Sequence, residues 1–88
     1  NKDVPPYIIA AREPVSYCGI NSVGLNRRAS TQEQITAIQN VYRLIYLSGL
    51  NVSQAVEQIE NTLPQSEERD VILTFVKGSP RGIVRGYN

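Results

Sequence analysis

Two adjacent arginines, Arg27 and Arg28, stand just ahead of a strong helix start, in the stretch "CGINSVGLNRRAS" at residues 18–30. Guanidinium groups bind phosphate bidentately, and a helix amino terminus adds unpaired N–H groups with partial positive charge. An anion clamp and a pair of solvated arginines share this signature. Asn21 carries a donor and an acceptor, which suits reading the edge of a base or a sugar, and equally suits a turn. Tyr42 and Tyr46 with Arg43 between them fit an aromatic-basic surface for single-stranded nucleic acid. At helical spacing they fit a core edge as well. Cys18 has no partner base near it in sequence and reads as a small buried residue. Gly19 and Gly24 do not have phosphate-loop spacing and read as glycines of backbone conformation.

Other chemistries are disfavoured by composition. The chain has no histidine and one cysteine, so the usual general base and a paired nucleophile are missing, and no zinc-type spacing occurs. No catalytic residue and no metal ligand is therefore assigned. Net charge is +1 over 88 residues, which gives no global field toward nucleic acid or an anionic membrane. Any anion site must be local. The single cysteine fits a reducing compartment. No apolar run reaches the roughly 20 residues of a membrane span, and the amino end does not resemble a signal peptide.

The elements that must position these residues fall in two parts. Residues 1–30 hold Pro5, Pro6 and Pro14 and show no helical period. The runs "PYIIAA" and "VSYCGI", broken by "REP", predict a strand pair, and residues 19–28 read as an irregular loop. A helix is predicted over 31–48. Ser30 or Thr31 is its cap, Glu33 or Gln34 closes a capping box, and Ile35, Ile38, Val41, Tyr42, Leu44 and Ile45 form its apolar face. Gly49 is a natural stop. A second helix, capped by Asn51, carries Val52, Ala55, Val56, Ile59 and Leu63 on one stripe and ends before Pro64. A third begins near Ser66, with Glu67, Glu68 and Asp70 in its first turn. It buries Val71, Ile72, Phe75 and Val76 and ends at Lys77–Gly78. The tail "SPRGIVRGYN" is expected to be irregular or a short docked segment, with Arg81 and Arg85 solvated or bound to helix carbonyls. The fold class is thus mainly α: a small three-helix domain preceded by a short β-hairpin or extended arm.

"DVPPYIIA", "CGINSVGLNRR", "ITAIQNVYRLIYLSGLN" and "SPRGIVRGY" together resemble the carboxy-terminal part of the bacterial UDP-N-acetylglucosamine acyltransferases, from about Asp3 to Tyr87. That family transfers a 3-hydroxyacyl group from acyl carrier protein to the sugar 3-hydroxyl, the first step of lipid A synthesis. The resemblance implies a left-handed β-helix ahead of this region, trimeric and bearing the catalytic histidine, with neither its hexapeptide period nor a histidine present here. Residues 1–20 would be the exit strands from that β-helix, 21–30 a nucleotide-contacting loop and 31–88 the helical domain. Asn21, Arg27 and Arg28 would contact the UDP-sugar, and Arg43 the acyl carrier protein. It implies a homotrimer, no cofactor, a cytoplasmic location, no nucleic acid and no membrane span. The sequence departs from the enterobacterial pattern at several positions. Val23 replaces a glutamate, Asn26 a lysine and Ala29-Ser30 a Gly-Phe pair, while Gln39 and Leu47 stand where some members have arginine. A free-standing nucleic-acid-binding or protein-interaction module is the alternative.

Overall fold

The protein is described by a computed structural model covering residues 2–12 and 14–86. Glu13, in the polar break between the strand-like runs, and Tyr87, at the end of the resemblance, lie outside the described residues. The order is β1 (Ile8–Ala11), β2 (Ser16–Ile20), α1 (Ser22–Arg27), α2 (Gln32–Tyr46), α3 (Val52–Thr62) and α4 (Glu67–Lys77).

Local side-chain chemistry sets the helix starts. The Thr31 hydroxyl accepts from the Gln34 N–H at 3.1 Å, and the Gln34 side-chain oxygen accepts from the Thr31 N–H at 2.7 Å. Asn51 and Gln54 form the same reciprocal box on α3. Each box satisfies two donors that a helix start otherwise leaves orphaned. Ser66 caps α4, whose first turn holds Glu67, Glu68 and Asp70 and whose last turn holds Lys77, the charge order the helix dipole favours. Gly49, at φ +81°, makes the turn out of α2 that a Cβ would oppose.

Helix α2 packs against both α3 and α4. Ile38, Val41, Tyr42 and Ile45 from α2 meet Ala55 and Ile59 from α3 and Ile72, Leu73 and Val76 from α4, all buried. On α4 Ile72 and Val76 are buried and Phe75 packs on the core as expected, but Leu73 takes the buried place expected of Val71, which stays 42% exposed. Val52 lies on the first turn of α3, outside that contact, and is likewise exposed.

Strands β1 and β2 pair antiparallel, Ile8 opposite Ile20 and Ala10 opposite Tyr17. Between those pairs β2 carries one more residue than β1. The bulge includes Gly19 at φ +113°, and bulges commonly place a glycine in such a conformation. Cys18 beside it is half-buried rather than buried. The tail is a docked segment. Tyr17 donates its N–H to the Arg85 carbonyl at 2.8 Å, while Asp3 N–H bonds Gly82 O and Val84 N–H bonds Asp3 O. Ile83 pairs with Asp3 and Arg85 with Ser16, both in parallel. The tail therefore lies between β2 and the amino-terminal arm, with Ile83 and Val84 buried.

Candidate functional site

The residues predicted as an irregular loop contain a helix. In α1 the Asn21 side-chain oxygen accepts from the Gly24 N–H at 3.0 Å, a cap that offsets the weak helix propensity of Gly24 and Asn26. Gly24 is required for that geometry, since a Cβ there would stand 2.7 Å from Asn21 Nδ2. Leu25, 3% exposed, pins the helix to the core.

The exit from α1 is equally defined. Ser30 N–H bonds Leu25 O and Ala29 N–H bonds Asn26 O, each at 3.0 Å, the two crossed bonds of a Schellman ending. Its left-handed position is occupied by Ala29 at φ +55°. A glycine there would relieve the strained position, and an apolar residue after it could pack on the helix. Here Ala29 bears the strain, and Ser30 brings no apolar side chain.

This frame places the three predicted ligand-binding residues. Asn21 caps one end of α1, Arg27 lies in its last turn and Arg28 is its C-cap, all exposed. The two ends are separated by about 9 Å, six residues at 1.5 Å rise. Neither arginine forms an ion pair among the described residues. The carboxy-terminal end of a helix favours cations, so the pair also has a local structural reason to stand there. The α2 terminus beyond is already closed by its capping box and carries Glu33 in its first turn. An anion at this place would be held by the guanidinium groups rather than by that helix end.

A residue the sequence reading did not single out, Tyr7, touches both ends of the site. Its carbonyl accepts from the Asn21 N–H at 2.7 Å, and the Arg28 guanidinium lies over its ring at 5.6 Å from the centroid. Tyr7 has φ +70°. In sequence it belongs to an apolar run, and nothing in that run marks an unusual backbone.

Arg43 is far along α2 from the Arg pair, exposed, its guanidinium donating to Asn40 Oδ1 at 3.3 Å. The neighbouring tyrosines are core. Tyr42 is fully buried and donates its hydroxyl to Pro6 O at 2.6 Å, and Tyr46 donates to Val84 O at 2.8 Å. Tyr17 stacks on Tyr46 with centroids 4.2 Å apart, and Tyr42 lies 6.0 Å from Tyr46. Burial pushes all three hydroxyls above the ordinary tyrosine range, and for Tyr42 and Tyr46 the neighbouring phenols add to it. Tyr42 has no open face on which a base could stack. A cleft of about 470 Å³ lies elsewhere, between the first half of α2 and the α3–α4 connection, lined by Gln34, Asn40, Leu63, Glu68 and Arg69 among others. It includes none of the predicted site residues.

Residues 3–84 match the family model described as UDP N-acetylglucosamine O-acyltransferase, domain 2. A curated acyl-[acyl-carrier-protein]–UDP-N-acetylglucosamine O-acyltransferase of Aquifex aeolicus is 40% identical over 97% of this chain and 33% of its own length. The crystal structure of a UDP-N-acetylglucosamine acyltransferase from Bacteroides fragilis matches with a TM-score of 0.92 and 52% identity, over 97% of this chain and 33% of that one. The Francisella novicida acyltransferase structure matches at 0.88 and 35%, over 99% and 32%. The chain thus spans about a third of the length of the relatives it matches.

Proposed function

This chain belongs to the UDP-N-acetylglucosamine O-acyltransferase family, matching its second domain, and from that premise we propose that it is the helical domain of such an enzyme and holds the UDP part of the sugar nucleotide. The enzyme would transfer a 3-hydroxyacyl group from acyl carrier protein to UDP-N-acetylglucosamine in the cytoplasm, opening lipid A synthesis, as a homotrimer. The histidine base would belong to the remaining two thirds, with residues 1–20 as the exit strands from its β-helix.

One observation carries the binding role: α1 presents Asn21 at one end and, at the other, the exposed Arg27 and Arg28, neither of them in an ion pair among the described residues. The separation suits a ligand with a polar base or sugar at one end and a diphosphate at the other. Two guanidinium groups give charge-assisted hydrogen bonds to a diphosphate, so the overall charge can stay near zero. Arg43 is proposed to contact acyl carrier protein. On the exposed side of α2 it neighbours Gln39 and the C-cap Leu47, the latter 67% exposed, so Arg43 supplies the basic charge of that face for an acidic partner.

In the full-length enzyme Arg28→Ala should weaken UDP-sugar affinity by about 1.5–3 kcal/mol, the range for a hydrogen bond to a charged group, or roughly 10- to 150-fold. The loss should fall on substrate affinity more than on turnover. Arg28→Lys should rescue in part, since a point charge lacks the planar fork. Unchanged affinity in Arg27→Ala, Arg28→Ala and the double variant at low salt would refute the binding role.

A further inference from the structure

We propose that Tyr7 is a positioning residue of this site, holding Arg28 so that its in-plane donors face the diphosphate. The inference rests on the binding role proposed for Arg28. Tyr7 adopts φ +70°, a conformation unfavourable for an aromatic side chain and retained where the surroundings over-determine it. Those surroundings are identifiable. The buried Tyr42 hydroxyl anchors the carbonyl of Pro6 at 2.6 Å, fixing the residue immediately before Tyr7. The Tyr7 carbonyl then receives the Asn21 N–H at 2.7 Å, which ties the amino end of α1 to the same point. The ring, half-buried and packed on the core cluster, meets the Arg28 guanidinium 5.6 Å from its centroid.

A cation–π contact engages the ring's quadrupole and no acceptor lone pair, so it gives none of the guanidinium's five N–H donors a hydrogen-bond acceptor. The contact therefore leaves those donors available to a ligand while restricting the rotamers of a long side chain. A ligand that needs one orientation binds more weakly by the fraction of time the group spends elsewhere. A cation–π contact at an exposed site corresponds to about a 2- to 5-fold change in that fraction.

The test is a double-variant cycle in the full-length enzyme, with uridine diphosphate as the titrated probe and Arg28 side-chain Nε–Hε resonances recorded in this chain. Tyr7→Leu should weaken binding by about 2- to 5-fold, while Tyr7→Phe, which keeps the ring, should stay within about 2-fold of the parent. In the Arg28→Ala background Tyr7→Leu should add no further loss. The Arg28 resonance should show a ring-current displacement in the parent and in Tyr7→Phe. An equal loss from Tyr7→Leu in both backgrounds, or no loss where Arg28→Ala does weaken binding, overturns the positioning role and leaves the binding role standing. No effect of Arg28→Ala itself overturns the positioning role, because Tyr7 then holds no side chain that binds; the binding role falls with it only if Arg27→Ala and the double variant are unchanged too. If Tyr7→Leu does not fold, the parent spectrum decides, because an Arg28 resonance without ring-current displacement rules the contact out.

Discussion

Replacing Tyr42 and Tyr46 together by phenylalanine should lower stability at neutral pH and yet slow its loss in alkali. Both hydroxyls are held protonated by burial, well above the ordinary tyrosine value, which is about 10 in the unfolded chain. Below that value both states are protonated and the two groups add no pH dependence. Above it the unfolded chain gives up protons that the native chain keeps. Unfolding then becomes easier by about 1.4 kcal/mol per pH unit for each such tyrosine, or about 3 for the pair. At neutral pH the double variant loses two hydroxyl-to-carbonyl hydrogen bonds, to Pro6 O and Val84 O, each worth roughly 1 kcal/mol. A deficit of about 2 kcal/mol is recovered at about 3 kcal/mol per unit, so the two stability curves should cross near pH ~11. Urea unfolding of this chain from pH 7 upward, followed by circular dichroism, measures both curves. Tyrosinate absorbance of the native chain gives the ionisation directly. Parallel alkaline slopes in parent and double variant, or native Tyr42 and Tyr46 ionising near the ordinary value, would refute the reasoning.

Three further outcomes are expected. Ala29→Gly should stabilise the chain by up to about 1 kcal/mol, the left-handed strain of about 1–2 less the entropy of an added glycine; a loss of stability in urea would contradict the strained Schellman ending. Gly24→Ala should leave stability within about 0.5 kcal/mol, because the helix propensity gained offsets the Asn21 cap displaced. UDP-sugar affinity in the full-length enzyme should nevertheless fall, and an unchanged affinity would remove Asn21 from the site. The isolated chain should show no acyl transfer, since it has no histidine and a positioned base contributes about 100- to 10,000-fold; turnover of acyl carrier protein thioester with UDP-N-acetylglucosamine would overturn this.

Much of the fold was legible in the sequence because it is written in short-range chemistry. The boxes at Thr31–Gln34 and Asn51–Gln54, the acidic first turn of α4, the turn at Gly49 and the stop at Pro64 involve residues within one turn of each other. The α2 stripe is a periodicity, and the residues of the α1 region carried the family resemblance. Helix α1 itself was hidden, because its glycine and asparagines read as loop while its cap and Schellman bonds depend on geometry. Leu73 in place of Val71 on the buried side of α4 was decided by where α2 lies. The same is true of the site. The sequence placed Asn21, Arg27 and Arg28 near one another, but Tyr7 reaches them through a strand pair, a carbonyl anchored by a residue 36 positions away and a backbone angle that apolar composition does not encode. The tail needed more still, since its bonds to Asp3 and Tyr17 join opposite ends of the chain. Local propensity acts over a few residues, whereas these contacts exist only where the common core of α2 and its neighbours holds distant backbone groups within hydrogen-bonding range.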